Sequence, residues 1–255
     1  MKFIKNSFII AFSMYSKVPM PRAEWDEDNM KYVMCFFPLI GAVIGAAIVA
    51  WDYVGNLLPL SPVFHTIVMV LLPIVITGGI HMDGFLDTTD ALKSYQSAQK
   101  KLEILKDPHA GAFAIIACVG YYFLTFGVWY DMKSSNILIM AVSFVLSRAL
   151  SGLSVVTFPL AKNSGLAATF SNQAKKKVTR LTMCFFIVAC SVAMLYINPY
   201  LGVICLVSAM AVFLHCRRMA IKEFGGITGD IAGYFLQVCE LTMAFGVVIG
   251  GKLCG

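Results

Sequence analysis

The chain is dominated by long apolar runs separated by short polar stretches. Residues 33–50, 63–76, 112–129, 137–158, 181–197, 201–214 and 231–249 are each apolar over nearly the length of a bilayer crossing. Such a crossing takes about 20 residues, within a range of roughly 17–25. Two runs are short on their own: 63–76 extends at most through Gly78 to Ile80, and 201–214 is followed by Cys216. The pattern predicts an all-α, polytopic integral membrane protein of about seven transmembrane helices, with six as the alternative. Ahead of the first run, Phe3, Ile4, Phe8, Ile9, Ile10 and Phe12 stand among few charges, as in a helix lying in the membrane interface. No small-residue cleavage site follows them, so a cleaved leader is not expected.

Composition agrees with lipid as the solvent. The 255 residues are 59% hydrophobic and 13% charged, with mean hydropathy +0.78; soluble domains carry about a quarter charged residues. Eight cysteines fall mostly inside the runs with no Cys-x-x-Cys pair, which fits small apolar residues better than a disulfide framework or a zinc site. No linker or low-complexity tract interrupts residues 1–255, so the chain reads as one domain.

Charge sets the expected orientation. With seven spans alternating, all 20 Lys and Arg residues except Lys133, Arg148 and Lys252 fall on one side. That side holds the N-terminal tail and the 77–111, 159–180 and 215–230 connections. The positive-inside bias makes it the cytoplasmic side, giving a cytoplasmic N-terminus. The opposite connections, 51–62, 131–136 and 198–200, are short and nearly uncharged, so an active site is expected to open to the cytoplasm. The run Lys175-Lys176-Lys177 reads as an orientation signal and a contact for membrane lipid. No nucleic-acid partner is expected.

The densest chemistry lies in Gly78-Gly79-Ile80-His81-Met82-Asp83-Gly84-Phe85-Leu86-Asp87-Thr88-Thr89-Asp90. If the segment after Gly84 is helical, Asp83, Asp87 and Asp90 share one face at spacing i, i+4, i+7. Three such carboxylates raise one another's pKa unless a cation sits among them, and the oxygen-only set suits Mg²⁺. Asp and Thr also cap helices readily, so a solvated helix start is the competing reading. His81 is open between general base, metal ligand and headgroup-level polar residue. Gly225-Gly226-Ile227-Thr228-Gly229-Asp230 repeats the first segment at Gly, Gly, Ile and Asp, which places Asp230 at similar depth, facing the Asp83 cluster.

Further candidates lie elsewhere. Lys106 offers a point charge to a phosphate, while Asp107 before Pro108 reads equally as the start of a helix. Arg148 and Glu240 fall deep inside two runs, where charges pair with each other or line a wet cavity. Lys162 is placed to meet an anionic substrate.

At these residues the chain resembles the cobalamin synthase family, the adenosylcobinamide-GDP ribazoletransferases. The matching stretches are Lys17-Val18-Pro19-Met20-Pro21, Phe36-Phe37-Pro38-Leu39-Ile40-Gly41, the Gly78 to Asp90 segment and Glu103-Ile104-Leu105-Lys106-Asp107 with Gly111-Ala112-Phe113. Ser147-Arg148-Ala149-Leu150 and the Gly225 to Asp230 segment with Gly233 and Glu240 complete them. Each is weak alone, but their order and spacing are specific. The resemblance implies transfer of α-ribazole, or its 5′-phosphate, onto adenosylcobinamide-GDP, yielding adenosylcobalamin or its phosphate and GMP. It implies Mg²⁺ as cofactor and leaves a homo-oligomer open. On this reading Asp83, Asp87 and Asp90 hold the metal and Asp230 completes the site. A carboxylate (Asp83 or Asp230) or His81 takes the hydroxyl proton. Lys106, Asp107, Arg148, Lys162 and Glu240 contact substrate. The sequence departs from the family at Ala91, where many members carry Gly, and in lacking an arginine between residues 91 and 100. The CDP-alcohol phosphotransferases fit less well, because Asp83-Gly84-Phe85-Leu86 is not followed by Ala-Arg. A secondary transporter would gather its charges at the bilayer midplane; here the aspartates gather at one surface. A two-aspartate membrane protease lacks its Gly-x-Gly-Asp signature, since position 227 is Ile.

Overall fold

A computed structural model describes residues 2–162, 172 and 174–253; residues 163–171 and 173, within the basic 159–180 connection, lie outside the description. The described chain is helical, with one isolated bridge between Leu160 and Ile227. Helices α1 (Lys2–Tyr15) and α2 (Glu27–Met30) precede a 3-10 turn, Val33–Phe36. Then come α3 (Phe37–Leu57), α4 (Pro62–Thr77), α5 (Ile80–Lys93), α6 (Ala98–Ile104), α7 (Ala112–Tyr130) and α8 (Ile137–Thr157). The chain ends with α9 (Lys176–Ile197), α10 (Pro199–Phe224) and α11 (Gly229–Leu253).

Six helices are long and apolar enough to cross a membrane, and the bent pair α4–α5 makes seven if counted as one span. The expected spans are present with shifted ends. Run 63–76 does not continue through Gly78 to Ile80. Helix α4 stops at Thr77, where Gly78 (φ 66°) and Gly79 (φ 81°) adopt left-handed backbone that favours glycine. The chain turns there by 94°. Helix α5 therefore leaves the line of α4 and runs across the start of α11. Run 201–214 lengthens instead: α10 continues to Phe224 and absorbs Arg217, Arg218 and Lys222, which were expected in a loop.

Helix α8 is the central post. From Ser143 to Val156 it is buried almost without interruption, and α3 packs on it closely. A Cβ on Gly41 would stand 2.2 Å from the carbonyl oxygen of Phe144, and one on Gly45 2.6 Å from that of Ala141. Small residues one turn apart let membrane helices approach to backbone contact. Helix α1 buries Ile9, Ile10, Ala11 and Phe12 and leaves Phe3 and Ile4 exposed. It is tied down by Ser7, whose hydroxyl donates to the Asn29 carbonyl at 2.6 Å.

Candidate active site

The site forms where α5 crosses the start of α11. Helix α5 is continuous from Ile80, so it begins before Gly84, and the i, i+4, i+7 spacing of Asp83, Asp87 and Asp90 holds. Two glycines let α11 reach it. A Cβ on Gly84 would lie 2.7 Å from the carbonyl oxygen of Asp230 and 2.9 Å from its Cα. A Cβ on Gly233 would lie 3.1 Å from the carbonyl oxygen of His81. The repeated segments are built alike: Gly78 closes α4 and Gly225 closes α10, both left-handed, and each leads to a helix bearing an aspartate in its first turn.

The aspartates feel one another. Asp87 has its carboxyl pushed up to about 6, first by partial burial and then by the charges of Asp83, Asp230 and Asp90. Asp83 is exposed, while Asp87, Asp90 and Asp230 are half-buried. Thr228 opens α11: its hydroxyl accepts from the Ile231 N–H at 3.2 Å and donates to Asp230 at 3.3 Å. Asp90 points at the start of α7, where a Cβ on Gly111 would fall 2.1 Å from its carboxylate. Gly111 is thus required by close approach to an acid 21 positions away in the chain, a constraint its local sequence does not announce.

Cations border the same place. Main-chain bonds from Ile227 to the Pro159 carbonyl (2.8 Å) and from Ala161 to the Ile227 carbonyl (3.1 Å) bring the 159–162 segment beside the turn that leads into α11. Lys162 follows, its amine donating to the Leu102 carbonyl at 2.9 Å. Burial and neighbouring Lys106 lower its pKa, with Asp230 opposing them. Lys106, Lys162 and Asp230 therefore share one neighbourhood.

Other sequence candidates go elsewhere. Asp107 does not start α7, whose N-cap is Gly111. It closes a turn instead, accepting from the His109 N–H at 3.0 Å and the His109 ring at 2.8 Å, which hold its carboxyl below the usual range. His81 lies about 200° around α5 from Asp83 and is only 4% exposed, packed between the rings of Tyr15 and Phe37. The structure does not bring it to the aspartate face. Arg148 and Glu240 form a buried ion pair, with Nη1 2.6 Å from Oε1; Ser147 donates to the same oxygen at 2.8 Å, and Nη1 also reaches the Phe144 carbonyl at 3.0 Å. The pair lines a cavity of about 40 Å³ with His81, Tyr121 and Gln237, room for water-sized guests only.

All-oxygen, mutually repelling donors fit a hard divalent cation. Among the described residues no three His, Cys, Asp or Glu side chains already stand at metal-ligand spacing, so ligation requires the carboxylates to turn toward one another.

Comparison with known proteins bears on the reaction. The family profile described as "Cobalamin-5-phosphate synthase" matches residues 7–248. An adenosylcobinamide-GDP ribazoletransferase of Lachnoclostridium phytofermentans is 48% identical over 244 residues, covering 96% of this chain and 94% of the relative. Proteins of the same name from Clostridium botulinum (33% identical, 96% of this chain, 98% of the relative) and Geobacillus kaustophilus (28% identical, 97% of each) also match. No solved structure matches the chain.

Proposed function

This chain belongs to the cobalamin-5-phosphate synthase family, and from that premise we infer that it is an adenosylcobinamide-GDP ribazoletransferase. It joins α-ribazole or its 5′-phosphate to adenosylcobinamide-GDP in the last step of cobalamin synthesis, releasing GMP. The observation that best supports a site for this reaction is the backbone contact of Gly84 with Asp230, which puts the acids of α5 and α11 in one place.

In the proposed site Asp83, Asp87, Asp90 and Asp230 hold Mg²⁺. When bound, Mg²⁺ supplies charge neutralisation of the pyrophosphate. Asp83 is the exposed member of the set and faces incoming substrate. Asp230, anchored by Thr228, is placed to orient the attacking hydroxyl and accept its proton. Lys162 and Lys106, neighbours of one another and of Asp230, supply positive charge to counter that developing on departing GMP. His81, Arg148 and Glu240 serve from behind, fixing α5, α8 and α11 to one another. The segregation of basic residues supports a cytoplasmic N-terminus and an aspartate face open to the cytoplasm.

Incubating the purified protein with adenosylcobinamide-GDP and α-ribazole tests this reading. Product and GMP are expected in equal amounts with Mg²⁺ and neither after chelation. Turnover unaffected by chelation would remove the metal from the proposal; no turnover under any condition would remove the reaction.

A further inference from the structure

A second charged site lies at the opposite end of α5 from Asp83. Tyr95, Lys101 of α6, and His215, Arg218, Lys222 and Glu223 of α10 line an open pocket of about 420 Å³. Its charges are organised. Lys101 is only 5% exposed, and its amine bonds one oxygen of Glu223, whose other oxygen lies 3.6 Å from the Lys222 amine. One carboxylate thus serves two lysines, and the exposed Arg218 adds a further positive charge. Arg218 and Lys222 are four residues apart on one helix, a like-charge spacing that destabilises unless an anion lies between them.

The rest of that helix face indicates the kind of anion. At 100° per residue, Val207, Ala211 and Leu214 lie within about 40° of Arg218 around α10, and all three are exposed. One stripe of α10 therefore passes from apolar side chains into cations. At the pocket's rim Tyr95 is 82% exposed and holds left-handed backbone, φ 53°, which is uncommon for a bulky residue. Tyrosines at headgroup level and basic pockets between membrane helices are features of lipid contact. A free phosphate would use the cations alone, whereas a phospholipid uses the cations and lies along the apolar stripe that this candidate crossing presents on its surface.

We propose that this pocket binds the headgroup of an anionic phospholipid, whose acyl chains lie along Val207, Ala211 and Leu214. The full chain, purified in detergent, is titrated with cardiolipin, phosphatidylcholine or inorganic phosphate while its unfolding temperature is followed. Cardiolipin is expected to give a saturable rise, and the other two none. In Arg218→Gln/Lys222→Gln the half-saturating concentration rises roughly tenfold or more. Arg218→Gln alone, which leaves the lysine–Glu223 pairs intact, shows part of that loss. Lys133→Gln/Lys252→Gln, which removes equal charge from exposed positions at the other end of the bundle, keeps the response of the unaltered protein. An equal rise with phosphatidylcholine, a saturable rise with inorganic phosphate, or an equal loss in Lys133→Gln/Lys252→Gln would each overturn the proposal.

Discussion

Gly84 of α5 and Asp230 of α11 touch main chain to main chain, with room for hydrogen but not for a methyl group between them. Replacing Gly84 with valine would force the two helices apart without removing a single acidic group. Since misplacement by about 1 Å can cost a hundredfold in rate, kcat for Gly84→Val is expected to fall by about that factor, with helix content by circular dichroism unchanged. Near-normal turnover would mean that the crossing does not set the geometry of the reaction.

The Arg148–Glu240 pair makes a different kind of prediction. Removing one partner strands a buried charge, at a cost of about 3–5 kcal/mol, whereas exchanging both for apolar residues of similar size is often neutral. Glu240→Ala is therefore expected to unfold at markedly lower denaturant than the parent, and Arg148→Met/Glu240→Met to recover most of the loss. Titration in mixed micelles measures both. A double variant as weak as the single one would show that the charges are needed for something other than each other.

Asp87 sets a pH dependence. Its folded pKa of about 6 stands above the ordinary carboxylate value, because burial and then Asp83, Asp230 and Asp90 oppose its charge. Between roughly pH 4 and pH 6 the folded state thus binds more protons than the unfolded one, so stability of the metal-free protein falls as pH rises through that window. Asp87→Asn should flatten this slope. Thermal unfolding in chelator across pH 4–8 tests it, and an unchanged slope in the variant would assign the effect to another group.

Lys162 stands near Lys106 and Asp230, with its amine already held by a carbonyl. A charged hydrogen bond to a phosphate is worth roughly 1.5–3 kcal/mol, so Lys162→Gln is expected to lower kcat/KM for adenosylcobinamide-GDP by about tenfold or more. Lys162→Arg should restore part of it. Steady-state kinetics with the ribazole substrate held saturating would show this; equal kinetics for Gln and parent would place the amine away from substrate.

Much of this was legible in the chain. Apolar runs mark the crossings because lipid demands them, and the depth of Arg148 and Glu240 leaves an ion pair or a cavity lining open, a choice only their tertiary approach decides. The i, i+4, i+7 aspartates and the repeated Gly-Gly-Ile segment mark the two segments that meet at the proposed site. The 94° turn was not legible, since Gly78 and Gly79 extend an apolar run as readily as they break one. That helix start also decides His81: once α5 begins at Ile80, a residue two positions before Asp83 must face away from it. The pairing of Lys101 with Glu223 and the collision of Gly111 with Asp90 depend on tertiary approach alone.

In the proposed site acids from two helices share one cation, and calorimetric titration of the purified protein with Mg²⁺ at pH 7.5 tests that most directly. One site per chain is expected, with affinity falling at least tenfold in Asp83→Asn and equally in Asp230→Asn. Undiminished binding in Asp230→Asn, with loss only in Asp83→Asn, would contradict a site built across α5 and α11.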